Sequence, residues 1–152
     1  MYLISPADGT VVGVKKDEHS GYVCVSIFIN FFDAHRQVAP ADGKVLSITR
    51  VEGNALPAFL AQSKKNTFVQ TVFEPKSGGG QVVVRQMVGF FVRRIINSLE
   101  VGQDVRRGEV FGHIVFGSRC EIEFSSKDFD LSGGIKPQAR VRAGVDVIAT
   151  KV

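Results

Sequence analysis

The clearest pattern along the chain is the apolar, β-branched and aromatic run Tyr22 to Ile29, which is dense enough in strand-forming residues to predict a buried central strand. Apolar positions alternate through Val45 to Val51, Asn66 to Phe73 and Gln81 to Gln86, predicting three further strands. The segment Pro75-Lys76-Ser77-Gly78-Gly79-Gly80 separates the last two as a flexible turn, so they are expected to pair as a hairpin. Strands return around Glu109 to Val115, Cys120 to Phe124 and Val145 to Val152, with Ser125 to Lys136 reading as a polar, glycine-containing loop. Two stretches break the period. Val88, Phe91, Val92 and Ile95 fall at helical spacing, which predicts a short amphipathic helix over Met87 to Ile96. Gly53 to Gln62 contains a proline and reads as short helical or irregular structure. The sum is a mainly β chain with one or two short helices, and no linker divides residues 1–152 into more than one domain.

The chain also repeats itself. Pro6-Ala7-Asp8-Gly9-Thr10-Val11 and Pro40-Ala41-Asp42-Gly43-Lys44-Val45 share one pattern at a spacing of 34 residues. In each copy the proline sets φ, the aspartate is expected to bond back to its own turn, and the glycine is expected to take the left-handed conformation before a strand begins. A fainter pair, Val105 to Val110 and Val141 to Asp146, recurs at a spacing of 36, each copy reading as strand, turn, strand. Many short strands and duplicated turns together indicate an antiparallel sandwich or barrel of the barrel-sandwich hybrid kind.

Composition changes this picture little and charge changes it more. With 152 residues, 44% hydrophobic and 22% charged, the chain can bury a real core. Its amino end shows neither the basic start nor the long apolar stretch of a signal peptide, and Gly21 to Phe32 is too short to cross a bilayer as a helix. Cys24 and Cys120 have no metal-ligand spacing and suit a reducing cytosol as two small core residues. Formal charge is +4, and arginine dominates the second half of the chain, which favours an anionic partner such as a phospholipid surface. Neither aromatic interleaving nor a zinc or helix-turn-helix signature accompanies the basic residues, so nucleic acid is not the expected partner.

The candidate chemistry lies in a few residues. Gly117-Ser118 joins two strand-like runs, and a serine hydroxyl directly after an unencumbered glycine carbonyl can attack that carbonyl if a base takes its proton. Of three histidines, His19 falls in a polar turn and His113 in an alternating strand. His35 follows the strongest strand and Asp33, at a strand end where a scaffold presents functional groups; a base near neutrality or a structural histidine both fit there.

The ordered set of Ser5-Pro6-Ala7-Asp8-Gly9, Phe28 to Arg36 with Ala39 to Gly43, Lys65-Asn66-Thr67, Gln86 to Ile95, Gly102 to Glu109 and Phe111 to Arg119 resembles the phosphatidylserine decarboxylase family. The match is closest to its short branch with an FGSR-type motif, and it covers nearly the whole chain. The resemblance implies self-cleavage between Gly117 and Ser118, giving a long chain of residues 1–117 and a short chain of residues 118–152 that stay associated. It further implies a covalent pyruvoyl group derived from Ser118, which would form a Schiff base with a serine phospholipid and act as an electron sink while carbon dioxide leaves. Asp8, His35 and Ser118 match the family's maturation set, with His35 as base and Asp8 orienting it. Phosphatidylserine or a related serine phospholipid is then the expected substrate, and the expected location is cytoplasmic and peripheral at an anionic cell membrane, reached through exposed apolar surface near Phe90 and Phe91 and through basic side chains. The resemblance leaves a homodimer open.

One departure concerns Val38, which stands where some family members carry a second histidine, so His35 must act alone or share its duties with another group. Two other classes compete. A biotinyl- or lipoyl-like barrel-sandwich module would need an exposed lysine on a hairpin tip, and a histidine phosphocarrier would need a paired histidine. Neither feature stands out in the sequence.

Overall fold

The computed structural model describes residues 1–57, 59, 65–89, 94–114 and 117–152. Its framework is an antiparallel eight-stranded sheet that includes β2 (Gly9–Lys16), β3 (Tyr22–Ile29), β5 (Gly43–Val51), β6 (Phe68–Pro75), β7 (Val82–Met87) and β11 (Ser118–Ser125). Two short strands, β9 (Asp104–Val105) and β13 (Arg140–Val141), close its edges. One three-stranded sheet is built from β1 (Tyr2–Ile4), β12 (Phe129–Leu131) and β14 (Val147–Lys151). The other consists of β4 (Arg36–Val38), β8 (Ile96–Asn97) and β10 (Val110–His113). Leu3, Ile27, Val84, Phe111, Ile122 and Ile148 belong to one buried cluster, so both small sheets pack on the same face of the large one. The expected β-rich, barrel-sandwich architecture is what the chain adopts.

The large sheet has the order β13-β2-β3-β11-β7-β6-β5-β9, and its two ends correspond. The repeat strands β2 and β5 lie second from each edge, β3 and β6 lie third, and β11 and β7 meet at the centre. The duplicated sequence is therefore a duplicated fold.

Its turns interlock in a way their local sequence does not disclose. Asp8 does not bond its own turn: its Oδ1 accepts the Ala143 N–H at 2.6 Å, and Asp42 Oδ1 likewise accepts the Arg107 N–H at 2.7 Å. Each copy of the strong repeat thus grips the turn of a faint repeat. The correspondence extends to the backbone, where Gln138 N–H donates to Val11 O and Gly102 N–H to Val45 O. Both donors have positive φ, 79° for Gln138 and 87° for Gly102, so the duplicated geometry persists where one copy has lost its glycine.

Gly9 and Gly43 are not left-handed, contrary to the expectation for those turns. They are glycines because a neighbouring strand passes too close. A Cβ on Gly9 would lie 2.2 Å from Phe28 O, and one on Gly43 would lie 2.3 Å from Glu74 O, in both cases rigid backbone within the sheet. Gly9→Ala and Gly43→Ala are each expected to cost about 3 kcal/mol or more, read as a drop in the denaturant midpoint at constant slope.

Other expectations need adjustment. The predicted loop from Ser125 to Lys136 contains β12, which pairs with the carboxy-terminal strand β14. The predicted hairpin forms as drawn, β6 pairing with β7 from Phe68↔Met87 to Phe73↔Val82. At the ends of the predicted helix, Met87 closes β7 and Ile96 opens β8; residues 90–93 between them lie outside the described residues, as do 58 and 60–64 of the Gly53 to Gln62 stretch.

Candidate active site

Ser118 is the first residue of β11, fully buried and paired with Ile29 at the end of β3. β11 is a central strand. It pairs with β3 along eight residues and with β7 along five, so both neighbours belong to the part of the chain before Gly117. A break between Gly117 and Ser118 would leave the downstream piece woven through the sheet. Gly117 itself has φ of +76°, a conformation that a side chain would disfavour.

The stretch leading into Ser118 is held at two points by the stretch carrying His35. Ile114 N–H donates to His35 O at 3.1 Å, and Gly117 N–H donates to Ile29 O at 2.7 Å. Ile114 and Gly117 are therefore bonded to the two ends of the stretch 29–35, which forms a clasp beside the candidate cleavage site. His35 is half-buried between the exposed Ala34 and Arg36.

A turn with its own lock precedes His35. Asp33 is 7% exposed; its Oδ2 accepts the Asn30 N–H at 2.9 Å, and its carboxylate is bonded by the Arg140 guanidinium. The hydrogen bond to Asp33, reinforced by the charges of Asp33 and Asp8, holds the Arg140 pKa above its usual range against the opposing effect of burial. Arg140 thus couples electrostatically to two carboxylates, one on each stretch flanking the site. The Asp8 stretch approaches from the other direction, through Val38 N–H to Pro6 O at 2.9 Å and Ile4 N–H to Pro40 O at 3.1 Å. Backbone bonds consequently tie the segments of Asp8, His35 and Ser118 into one neighbourhood.

Val38 has a packing role. It is 3% exposed in a small cluster with Ile4 and Ala143, next to the turn that Asp8 caps. His19 and His113 are both exposed, consistent with the polar turn and alternating strand expected for them. Asn66, from the Lys65-Asn66-Thr67 motif, is a buried tie: its Nδ2 donates to Leu56 O at 2.7 Å and to Val88 O at 2.9 Å, fixing the end of β7 beside the site.

The opposite face of β11 carries charges that the sequence pattern does not reveal as a unit. Arg119 and Glu121 are 5% and 6% exposed and bond at 2.7 Å, while Ser26 Oγ donates to Glu121 at 3.0 Å. Arg85 extends the network to Glu121 and Glu123 and bonds Gln70 Oε1 at 2.9 Å. Burial pulls the Arg85 pKa down, but the bond to Glu123 and the charges of Glu123 and Glu121 more than offset it and hold it above the usual value. The pair borders a cleft of about 240 Å³ with Phe59 at its rim. A larger cleft of about 730 Å³ opens around Asp42, Lys44, Glu74 and Arg106, with neither a serine nor a histidine in its described lining. The alternation of Arg119, Glu121 and Glu123 with buried Cys120, Ile122 and Phe124 was the available signal for the polar face.

Neither cysteine is in a disulfide, and burial, with Glu121 adding to it, pushes the Cys24 thiol up to about 12. The apolar surface expected at Phe90 and Phe91 lies outside the described residues. On the clasp, however, Phe31 and Phe32 are 64% and 93% exposed. No described helix is long and apolar enough to cross a membrane.

Comparison with known sequences places these features in a family. The profile of the phosphatidylserine decarboxylase family matches residues 1–149. A Methanococcoides burtonii protein named "putative archaetidylserine decarboxylase proenzyme" is 40% identical over 149 residues, covering 98% of this chain and 66% of that protein. Phosphatidylserine decarboxylase proenzymes of Carboxydothermus hydrogenoformans and Solibacter usitatus are 34% and 33% identical, over 96% and 98% of this chain and 70% of each relative. The chain thus spans about two thirds of the length of the relatives it matches. From residue 1 to residue 149, the chain belongs to the phosphatidylserine decarboxylase family.

Proposed function

We propose that the chain is a self-processing decarboxylase that cuts itself between Gly117 and Ser118 and then acts on phosphatidylserine or a related serine phospholipid. The observation that carries this reading is the clasp, which places a left-handed glycine and a buried serine beside the His35 stretch, tied through Ile114 and Gly117. Ser118 Oγ attacks the Gly117 carbonyl carbon while His35 takes the hydroxyl proton, and Asp8 stabilises the imidazolium. The peptide becomes an ester. Loss of the Ser118 α-proton then expels the Gly117 carboxylate, leaving a dehydroalanine that water converts to the pyruvoyl amide with release of ammonia. The pyruvoyl group supplies an electron sink for loss of carbon dioxide. Ser118 starts a strand held by both neighbours, so the new amino terminus stays fixed after cleavage.

Access to a lipid head group fits the surface around the clasp. Phe31 and Phe32 stand out edge to face from a turn locked by Asp33, and Arg36, the residue after His35, is exposed. Aromatic side chains enter the interface while basic ones meet anionic head groups.

Processed protein mixed with vesicles containing phosphatidylserine is expected to release carbon dioxide and form the ethanolamine lipid. Binding and turnover should weaken as salt screens the arginines over about 8 Å at physiological ionic strength. Carbon dioxide release from free serine but not from the lipid, or no binding to anionic vesicles, would contradict the lipid assignment.

A further inference from the structure

On the core side of the clasp lies a run of buried amides that the reaction just described does not use. Gln37, Gln86 and Thr71 are each fully buried. Asn97 Nδ2 donates to Thr71 Oγ1 at 2.9 Å and to Gln86 Oε1 at 3.0 Å. Gln86 Nε2 donates to Ile96 O at 3.0 Å and to Gln37 Oε1 at 2.9 Å. Gln37 Nε2 then donates to His35 O at 3.0 Å, the same carbonyl that receives Ile114 N–H at 3.1 Å. From Asn97 through Gln86 and Gln37 each amide donates to the next, with branches to Thr71 and Ile96, so this run has one polarity and ends on the backbone of His35.

A carbonyl with two donors is fixed in direction, and each amide in the run is satisfied only if its neighbours keep their orientation. Space for the run is also specified. A Cβ on Gly112 would lie 2.2 Å from Gln86 Nε2, so the glycine of the Phe111-Gly112 pair is what lets Gln86 reach Gln37. A packed core would serve stability at lower cost than three fully buried polar side chains and the half-buried Asn97.

We infer that Gln37, backed by Gln86, is a positioning residue for self-cleavage: it sets the backbone of His35 and, through the shared carbonyl, the position of Ile114 against it. This inference rests on the proposed role of His35 as base. Neither glutamine touches the reacting atoms.

The test uses full-length precursor made by cell-free translation, with cleavage rate measured against pH alongside thermal unfolding under the same conditions. The wild-type rate at each pH is the reference for both variants. Gln37→Glu is isosteric. Its protonated carboxyl can accept from Gln86 and donate to His35 O, whereas its carboxylate, with a pKa raised by burial, sets two acceptors against each other. The mutant-to-wild-type rate ratio is therefore expected to be within about threefold of unity near pH 5 and to fall at least about tenfold by pH 8, with the fold intact at both. Gln37→Met, which has no donor, should be at least about tenfold slow at every pH. A ratio for Gln37→Glu that is flat with pH, or wild-type cutting by Gln37→Met, would overturn the inference. Should Gln37→Met fail to fold, the pH course of Gln37→Glu decides alone. His35→Ala in parallel separates the two readings: normal cutting there removes the base, whereas no cutting there with normal cutting in Gln37→Met removes only the positioning role.

Discussion

Ser118→Ala is expected to remain one uncut 152-residue chain, folded and without decarboxylase activity. The substitution removes a single hydroxyl from a fully buried position while leaving the pairing of β11 with β3 and β7, which is made by backbone, untouched. Stability should change by no more than about 1 kcal/mol, so loss of cleavage could not be blamed on unfolding. Activity should drop at least about 10³-fold, because the same oxygen is both the nucleophile of maturation and the origin of the ketone. Ser118→Cys keeps a nucleophile and is expected to cut slowly, but it cannot form the pyruvoyl group efficiently. Electrophoresis under denaturing conditions reads cleavage, and carbon dioxide release reads activity. An alanine variant that cuts normally would remove Ser118 from the account.

The second large effect is expected at His35. His35→Ala should fold and cut about 10² to 10⁴-fold more slowly, the usual contribution of a positioned general base. The duplicated fold supplies an internal control for its partner, since Asp8 and Asp42 hold equivalent turns by equivalent bonds to Ala143 N–H and Arg107 N–H. Asp8→Asn and Asp42→Asn each keep an acceptor for the backbone and should each cost about 1 kcal/mol. Only Asp8→Asn should also slow cutting, because only the Asp8 copy is coupled through Arg140 to the turn that precedes His35. Equal cleavage rates in the two variants would mean that Asp8 serves its turn alone, and faster loss in Asp42→Asn would move the orienting role to the other repeat.

Much of this arrangement could be read before any coordinates because it is local or repeated. The density of β-branched residues from Tyr22 to Ile29 forces a strand in almost any context, and that strand lies beside β11 near the middle of the large sheet. Pro75 to Gly80 can only turn, so β6 and β7 had to be a hairpin. The Pro-Ala-Asp-Gly repeat announced a duplication that the sheet order then displays.

What escaped the sequence is set by partners distant along the chain. The strands β4, β8, β9 and β13 are two or three residues long, too short to carry a period, and exist because a neighbour offers a ladder. Phe129-Asp130-Leu131 sat in a polar loop by composition, yet Phe129 is buried against Phe124 and its strand is templated by β14. Asp8 looked like a local turn residue, but its acceptor site faces Ala143, 135 residues away. Gln86 closes a predicted strand and Gln37 falls in no predicted element, and only the sheet packing joins them into a directed chain ending at His35. Asp33 followed the same logic: its lock, Arg140, lies 107 residues on.

The central claim, that the chain breaks itself at Gly117 and keeps Ser118 as a pyruvoyl group, is tested most directly by intact mass of the freshly folded wild-type protein under denaturing conditions. The account predicts two pieces, residues 1–117 ending in a free glycine carboxylate and a 35-residue piece, 152 minus 117, whose first residue has the mass of a pyruvoyl group and resists amino-terminal sequencing. Under native conditions the same pieces should run as one particle, since β11, β13 and β14 of the short piece are laddered to β3, β7, β2 and β1 of the long piece. A single full-length mass from protein that nonetheless decarboxylates, or a short piece beginning with an unmodified serine, would contradict it.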